Sequence, residues 1–381
     1  MTERVAAPRT VPSSIREAAL LAARFADRHE QEGTLAPEVA EALVAAGFAR
    51  HFVPTAYGGR AGTFTEMLHA VEAVAESCTS AGWCASLTAS AGRMAAHLPK
   101  EGRDDVWENG PDTVLVGGLI PVGRAKPEPG GWRVHGRWPN ISAVEYSDWA
   151  LVCAVAPTSA TDGERPAEAR FFAVPRAAYR IERTWDSVGM CGTGSHTLVL
   201  DETAVPAHRS FARDDLMAGV RSSAEETAAC HSVPIKAVNG LGFAAPALGA
   251  ITAALDTGWT QAWERGRPTV GAEAPASLVG LARAAGEADA ARLLLERVAA
   301  TADRGTLTAA ETARAGRDCA VAADLLVSAA GRVLRAGGTR AQAHANRIQR
   351  SWRDINTLAS HTMLRFETAV ADYARVAGRP S

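Results

Sequence analysis

Gly189-Met190-Cys191-Gly192-Thr193-Gly194-Ser195 runs directly into His196-Thr197-Leu198-Val199-Leu200, a short apolar segment that reads as a strand. A dinucleotide-binding turn has the opposite order: strand first, then GxGxxG, then a helix whose N-terminus meets the pyrophosphate. The glycine cluster fails that context, which disfavours nicotinamide chemistry inside this chain. No P-loop, HExxH or GxSxG occurs elsewhere, so metal hydrolysis is disfavoured too.

Around this stretch lie other short segments rich in β-branched and aromatic residues: Thr113–Leu119, Gly131–Arg137, Trp149–Val155, Arg170–Val174 and Tyr179–Glu182. Gly, Pro and Asp turns separate them, and Pro157–Pro166 is a polar loop. The pattern predicts an antiparallel barrel or sandwich. On the N-terminal side, Ser13 to Asn109 is helical in texture. Pro12-Ser13-Ser14 offers a helix start, Pro37 opens a second helix that Gly47 stops, and Phe64–Ser77 and Ala81–Ala96 read as two more. On the C-terminal side, long Ala-rich periodic segments cover Gly240–Arg265, Ala276–Ala302, Ala309–Leu334 and Ala341–Ala377. Four long helices with short connections predict a bundle. The expected domains are therefore 1–112 (α-helical), 113–221 (central β-barrel) and 222–381 (four-helix bundle). The class is α+β, mostly α.

Composition narrows the function. Apolar residues make up 47% and charged residues 22%, with a formal net charge of −2. That is an ordinary globular chain without the basic footprint a nucleic-acid or acidic-lipid partner needs. No apolar run is read as reaching the roughly 18 to 20 residues of a bilayer span. Met1 to Ser14 lacks the apolar core of a signal peptide, so the expected location is cytoplasmic. The six cysteines, Cys78, Cys84, Cys153, Cys191, Cys230 and Cys319, show no CxxC or Cys/His zinc spacing. They are expected to be buried free thiols, and no metal site is expected.

The helices–β–helices order, with its motifs, resembles the acyl-CoA dehydrogenase superfamily over nearly the full length. Pro54-Thr55-Ala56-Tyr57-Gly58-Gly59 looks like the family's Pro-x-x-Tyr-Gly-Gly loop. The opening stretch, followed by Asp201-Glu202 and Val205-Pro206, looks like its GMRGTGS…LDDVFVP segment. Arg267-Pro268-Thr269-Val270-Gly271 resembles the turn whose Arg meets the flavin pyrophosphate of a neighbouring subunit. Gly337-Gly338 sits where the family has a Gly-rich turn near the adenine end.

The resemblance also separates two branches. A dehydrogenase needs a carboxylate to take the α-proton of a thioester. The two places where the family carries it correspond here to Ser360-His361-Thr362 and to the neighbourhood of Leu241, and neither holds an acid. Trp352-Arg353-Asp354 followed by Ser360 and His361 instead resembles the W-R-D-x(5)-S-x-H motif of the two-component (group D) flavin-dependent monooxygenases. Trp138 to Trp149 resembles that branch's W…S-G…D-W pattern, with Ala143 in place of Gly and Tyr146 in place of a common His.

That resemblance implies a monooxygenase using reduced flavin (FADH2 or FMNH2) and O2, through a C4a-hydroperoxyflavin, to oxygenate an aromatic or indolic small molecule. A separate NAD(P)H:flavin reductase would supply the flavin, and the oligomer would be a homotetramer through the bundle, with secondary metabolism as a plausible setting. An acyl-CoA dehydrogenase and an amino-sugar N-oxygenase are the alternatives on the same scaffold. His361, with a reference pKa of about 6.5, is the expected acid or base. Ser142 is expected beside flavin N5. Trp138, Trp185, Ser195, Arg267, Gly337 and Gly338 are expected to bind the cofactor, and Arg93 and Tyr146 to reach the substrate. If one helix runs through, Asp354, Thr357 and His361 share a face, and either of the first two can orient the imidazole.

Overall fold

The computed structural model describes residues 11–157, 167–220, 228–265 and 273–377. Five helices come first: α1 (Ser13–Glu32), α2 (Pro37–Ala45), α3 (Phe64–Ala75), α4 (Thr79–Ala95) and α5 (Lys100–Val106). Their ends follow from local chemistry. Gly33, at a φ of 69°, closes α1 with its N–H on His29 O. Pro37 sits in the first turn of α2. Thr63 and Glu66 cap the start of α3 reciprocally. Small residues fill most of α4, and nearly all of that helix is buried.

Seven strands follow: β1 (Leu115–Glu128), β2 (Gly131–Ile141), β3 (Trp149–Pro157), β4 (Ala167–Pro175), β5 (Arg180–Glu182), β6 (His196–Pro206) and β7 (Ser210–Ala212). They form one sheet in the order β5-β6-β2-β1-β3-β4-β7. The expectation of a wholly antiparallel module is corrected at one pair. After β2 the chain crosses over and adds β3 to the free edge of β1, in the same direction as β1. The sheet is therefore mixed. The register of β1 against β3 shifts between Gly118 and Gly123, and the bulge there leaves Ile120 and Val122 exposed.

The remaining helices are α6 (Arg213–Ala218), α7 (Ile235–Arg265), α8 (Ala276–Ala302), α9 (Ala309–Ala341), α10 (Arg347–Ala359) and α11 (Phe366–Ala377). α7 packs on α8, α9 and α10, and also on α3 and α4 of the N-terminal helices. By length and composition α7 is apolar enough to cross a membrane, contrary to the reading of the sequence, but 78% of its apolar window is buried inside the protein. It is a core helix. All six cysteines are unpaired, five of them buried and Cys191 half-exposed.

The single helix expected over 341–377 is two. Asn346 caps α10 by accepting from the Ile348 N–H. At the other end Ser360 Oγ donates to Thr357 O, and His361 leaves the helix in an extended conformation with a ψ of 134°. Its ring Nδ1 then accepts from Met363 N at 3.3 Å and caps the next short turn. Side-chain capping, which periodicity does not register, breaks the helix at the residue of greatest interest. Gly338, at φ 62° and ψ −151°, kinks the end of α9 in a conformation reserved for glycine. The expected polar loop lies almost wholly outside the described residues.

Candidate active site

Ser142 follows the last residue of β2, and Ala143 after it takes a φ of 58° that turns the chain away from the strand. The Gly189–Ser195 turn precedes β6, the neighbour of β2 in the sheet. Two backbone features bring the two turns together: Ala143 N donates to Thr193 O at 2.9 Å, and β2 pairs with β6 at Ile141 and His196. The side chains then form a line. Trp83 of α4 donates its indole N–H to Ser142 Oγ at 2.9 Å, Ser142 Oγ and Ser195 Oγ are 2.8 Å apart, and Ser195 Oγ and Thr193 Oγ1 are 2.6 Å apart. Thr193 Oγ1 donates to Met190 O at 2.9 Å. All four side chains are buried.

The same Trp83 leads to His361. Phe243 of α7 stacks on the imidazole with ring centroids 3.9 Å apart, Trp83 packs on Phe243 at 5.2 Å, and Trp83 meets the imidazole edge-on at 6.1 Å. Burial pushes the His361 pKa down to about 4, so the ring is neutral near pH 7. With the Nδ1 lone pair taken by the Met363 N–H, the hydrogen of the neutral ring resides on Nε2. His361 thus presents an N–H rather than a lone pair at that atom.

The Trp-Arg-Asp segment does something other than orient the imidazole. Asp354 is buried, and its Oδ1 accepts from Met190 N at 2.6 Å while Thr79 donates a side-chain hydrogen bond to it. Burial raises the Asp354 carboxyl to about 6, against the lowering effect of the Met190 N–H. Arg353 donates to Val188 O and to Gln349 Oε1 (2.8 Å for the latter), and pairs with Glu30. Gly189 lies so close to α10 that a Cβ there would stand 2.4 Å from Arg353 O and 2.7 Å from Thr357 Oγ1. The expected shared face of Asp354, Thr357 and His361 is overturned, because α10 ends at Ala359. Asp354 and Thr357 instead face the glycine-rich turn.

Trp185 is half-buried beside that turn and donates its indole N–H to Met190 O at 3.1 Å. The backbone N–H groups of Thr184 and Trp185 both donate to His196 Nδ1, at 3.3 and 3.2 Å. Other expected residues lie elsewhere. Trp138 is a correction: it is 1% exposed, donates to Cys153 O at 2.7 Å and fills the space over Gly123 and Gly136, so no face is left for a cofactor. Arg93 is buried with its guanidinium bonded to Cys230 O and Val233 O, which fastens the segment leading into α7. Tyr146 donates to Leu35 O and lines an apolar cavity of about 440 Å³ with Leu43, Phe48 and Ala85. Its α4 lining, Cys84, Ala85 and Thr88, lies on the helix face opposite Trp83 and Ser86. Gly337 and Gly338 mark the kink of α9. Arg267 lies outside the described residues. Among the described residues no cluster of His, Cys, Asp and Glu could hold a metal ion.

Trp83, Phe243 and Thr193 belong to the site and were not singled out from sequence. A signal existed for the first: Trp83 is the one bulky residue between Thr79 and Ser86. Where Ser142 donates to Ser195, its Oγ accepts from Trp83 alone and keeps one lone pair for a further donor.

The buried histidines make stability depend on pH. Burial lowers the pKa of His29 and His361 to about 4 and also lowers His51 and His196. Between about pH 6.5 and 4 the unfolded chain therefore binds more protons than the folded one, and stability falls as pH falls through that window. The raised Asp354 works in the opposite sense between about pH 4 and 6. A thermal melt at pH 7, 6 and 5 should show a falling midpoint, with a smaller fall in His29→Asn.

Comparison with known proteins places this geometry. The profile "Acyl-CoA dehydrogenase, N-terminal domain" matches residues 13–105, and "Acyl-CoA dehydrogenase, C-terminal domain" matches residues 241–366. The chain is 33% identical over 339 residues to the oxygenase component of an FADH(2)-dependent resorcinol hydroxylase from Rhizobium sp. (strain MTP-10005), covering 82% of this chain and 80% of that one. A crystal structure of 3-HSA hydroxylase from Rhodococcus sp. RHA1 superposes with a TM-score of 0.88 at 26% identity, over 97% of both chains. XiaF from Streptomyces sp., in complex with FADH2 and glycerol, does so with a TM-score of 0.86 at 26% identity, over 97% of this chain and 96% of that one.

Proposed function

The chain belongs to the acyl-CoA dehydrogenase superfamily, in its flavin-dependent monooxygenase branch, and from that membership we propose that it inserts one atom of O2 into an aromatic or indolic small molecule. The other oxygen atom leaves as water. Bound reduced flavin supplies the two electrons and the carbon at which O2 is activated. The flavin arrives already reduced from a separate NAD(P)H:flavin reductase, and FADH2 is the form we favour over FMNH2.

The observation that carries this reading is the pairing of an imidazole with a serine hydroxyl through one tryptophan. Ser142 Oγ, held by Trp83 and Ser195, accepts the N5 hydrogen of the reduced ring. His361, stacked on Phe243, offers its Nε2 hydrogen to the oxygen being transferred or to the substrate's own hydroxyl. Asp354 is the nearest buried acid of α10, and it serves the Met190 N–H rather than a thioester. The Phe243 and Trp83 rings, both buried, also keep bulk water from the reacting atoms. Trp185 beside the glycine-rich turn packs against the flavin ring, and Ser195 supports the ribityl side.

On the same reading the chain divides at about 112 and 221, with the sheet as a central β-barrel domain and α7 to α11 as the helical bundle. Two copies, or four in a homotetramer, bring Gly337 and Gly338 of a neighbour to the adenine. The protein acts in the cytoplasm, and tailoring of a secondary metabolite is the setting we favour.

One rapid-mixing experiment tests the reaction class. Protein mixed with free reduced flavin and then O2 should show an absorbing species distinct from reduced and oxidised flavin, persisting well beyond flavin autoxidation in buffer. Anaerobic addition of an acyl-CoA to protein with oxidised flavin should leave the flavin colour unchanged. Bleaching by the acyl-CoA, or autoxidation at the rate of free flavin, would overturn the monooxygenase reading.

A further inference from the structure

The buried line from Trp83 to Met190 has a direction. An indole N–H can only donate and a carbonyl oxygen can only accept, so the two ends of the line are chemically fixed. Thr193 has one hydroxyl hydrogen, and we assign it to Met190 O, the one contact of Thr193 Oγ1 that can only accept, although Met190 O also accepts from Trp185 Nε1 and Thr193 N. The contact between Thr193 and Ser195 must then be donated by Ser195, and the contact between Ser195 and Ser142 by Ser142. Ser142 has spent its only hydrogen and already accepts from Trp83. Its remaining capacity is one lone pair.

We propose that Thr193 and Trp83 are positioning residues that, through Ser195, lock the Ser142 hydroxyl as an acceptor and so make the site read the redox state of flavin at N5. This rests on the reading that Ser142 meets N5. A reduced ring carries a hydrogen on N5 and matches the open lone pair. An oxidised ring carries a lone pair on N5 and meets another lone pair. To greet the oxidised ring, Ser142 must turn its hydrogen away from Ser195, and either that bond is lost or the hydrogens of Ser195 and Thr193 reverse with it and the Thr193 bond to Met190 O is lost. All three hydroxyls are buried, so a bond lost there is not readily replaced by bulk water. The discrimination is therefore written into the turn that carries Thr193, not into Ser142 alone.

The test measures affinities, not turnover. Oxidised and reduced flavin are titrated anaerobically into the wild type and into Thr193→Val, Thr193→Ser, Trp83→Phe and Ser142→Ala. The wild type should bind reduced flavin more tightly. Thr193→Val keeps the side-chain shape and removes the hydrogen sink, so the ratio of oxidised to reduced dissociation constants should shrink by about fivefold to tenfold, the worth of one neutral hydrogen bond. Thr193→Ser should restore most of the ratio, which a merely structural role for the methyl-bearing side chain would not do. Trp83→Phe should weaken reduced flavin by a few-fold. A ratio within about twofold of wild type in Thr193→Val, alongside weakened reduced-flavin binding in Ser142→Ala, overturns the relay and leaves the N5 contact standing. Unchanged affinities in Ser142→Ala remove the N5 contact itself, and the relay with it.

Discussion

Replacing His361 by alanine should lower product formation by about a hundredfold or more, the usual loss when a positioned hydrogen-bond donor at the reacting atoms is removed, while reduced-flavin affinity stays near that of the wild type. The split follows from geometry. His361 touches Phe243 and Trp83 but makes no bond to Ser142 or to the Gly189–Ser195 turn, so flavin contacts survive its loss. The pH profile discriminates further. Burial holds the imidazole neutral down to about pH 4, so the rate should show no ionisation near 6.5 arising from this residue. Activity that depends on the neutral ring falls only as pH drops through about 4. His361→Asn, whose amide retains an N–H, should recover part of the rate. Steady-state product analysis with a saturating reductase, beside anaerobic flavin titration, checks each arm. Turnover of His361→Ala equal to wild type would remove the residue from the mechanism.

The sequence was most readable where chemistry is local. The glycine-rich turn and Ser142 lie 47 to 53 positions apart, yet adjacency of β2 and β6 brings Ser195 and Ser142 to 2.8 Å, a contact between two expected flavin ligands that the sequence did not reveal. The helix start at Pro37 was written in neighbouring residues, whereas the Thr63–Glu66 box went unread. Legibility failed where a partner is distant. Asp354 looked like a group facing His361 because both fit one helical face, but its partner is the Met190 N–H, 164 positions away. The break after Ala359 depends on His361 capping with its own ring, which an Ala-rich stretch conceals. Trp138 resembled a cofactor ligand in its motif, and only the glycines at 123 and 136 on paired strands show that its ring is consumed by the sheet. Trp83 sits in a helix too far from every motif to be linked to Ser142 without coordinates.

Asp354→Ala should be the most damaging substitution outside the reacting groups, and it separates the anchoring role from the catalytic one. The buried Met190 N–H would lose its only acceptor among the described residues, at a cost of about 1–3 kcal/mol for an orphaned donor. Met190 holds a left-handed φ of 56°, a conformation uncommon outside glycine that the Asp354 bond helps to keep. Once released, the turn would no longer hold Met190 O as the terminus of the Thr193–Ser195–Ser142 line. Reduced-flavin affinity should fall about tenfold with the melting midpoint. Asp354→Asn is the informative companion, because an amide oxygen still accepts from Met190. The carboxyl pKa is raised to about 6 in the fold, so its stabilising contribution is fullest below about pH 4 and is lost as pH rises through 6. The asparagine variant carries no such loss. Its stability relative to wild type should therefore improve from pH 5 to pH 7.5, measured by denaturant unfolding at each pH, while the alanine variant stays weaker at both. Equal losses in the two variants would mean that accepting from Met190 is not what Asp354 contributes, and the anchoring account would fail.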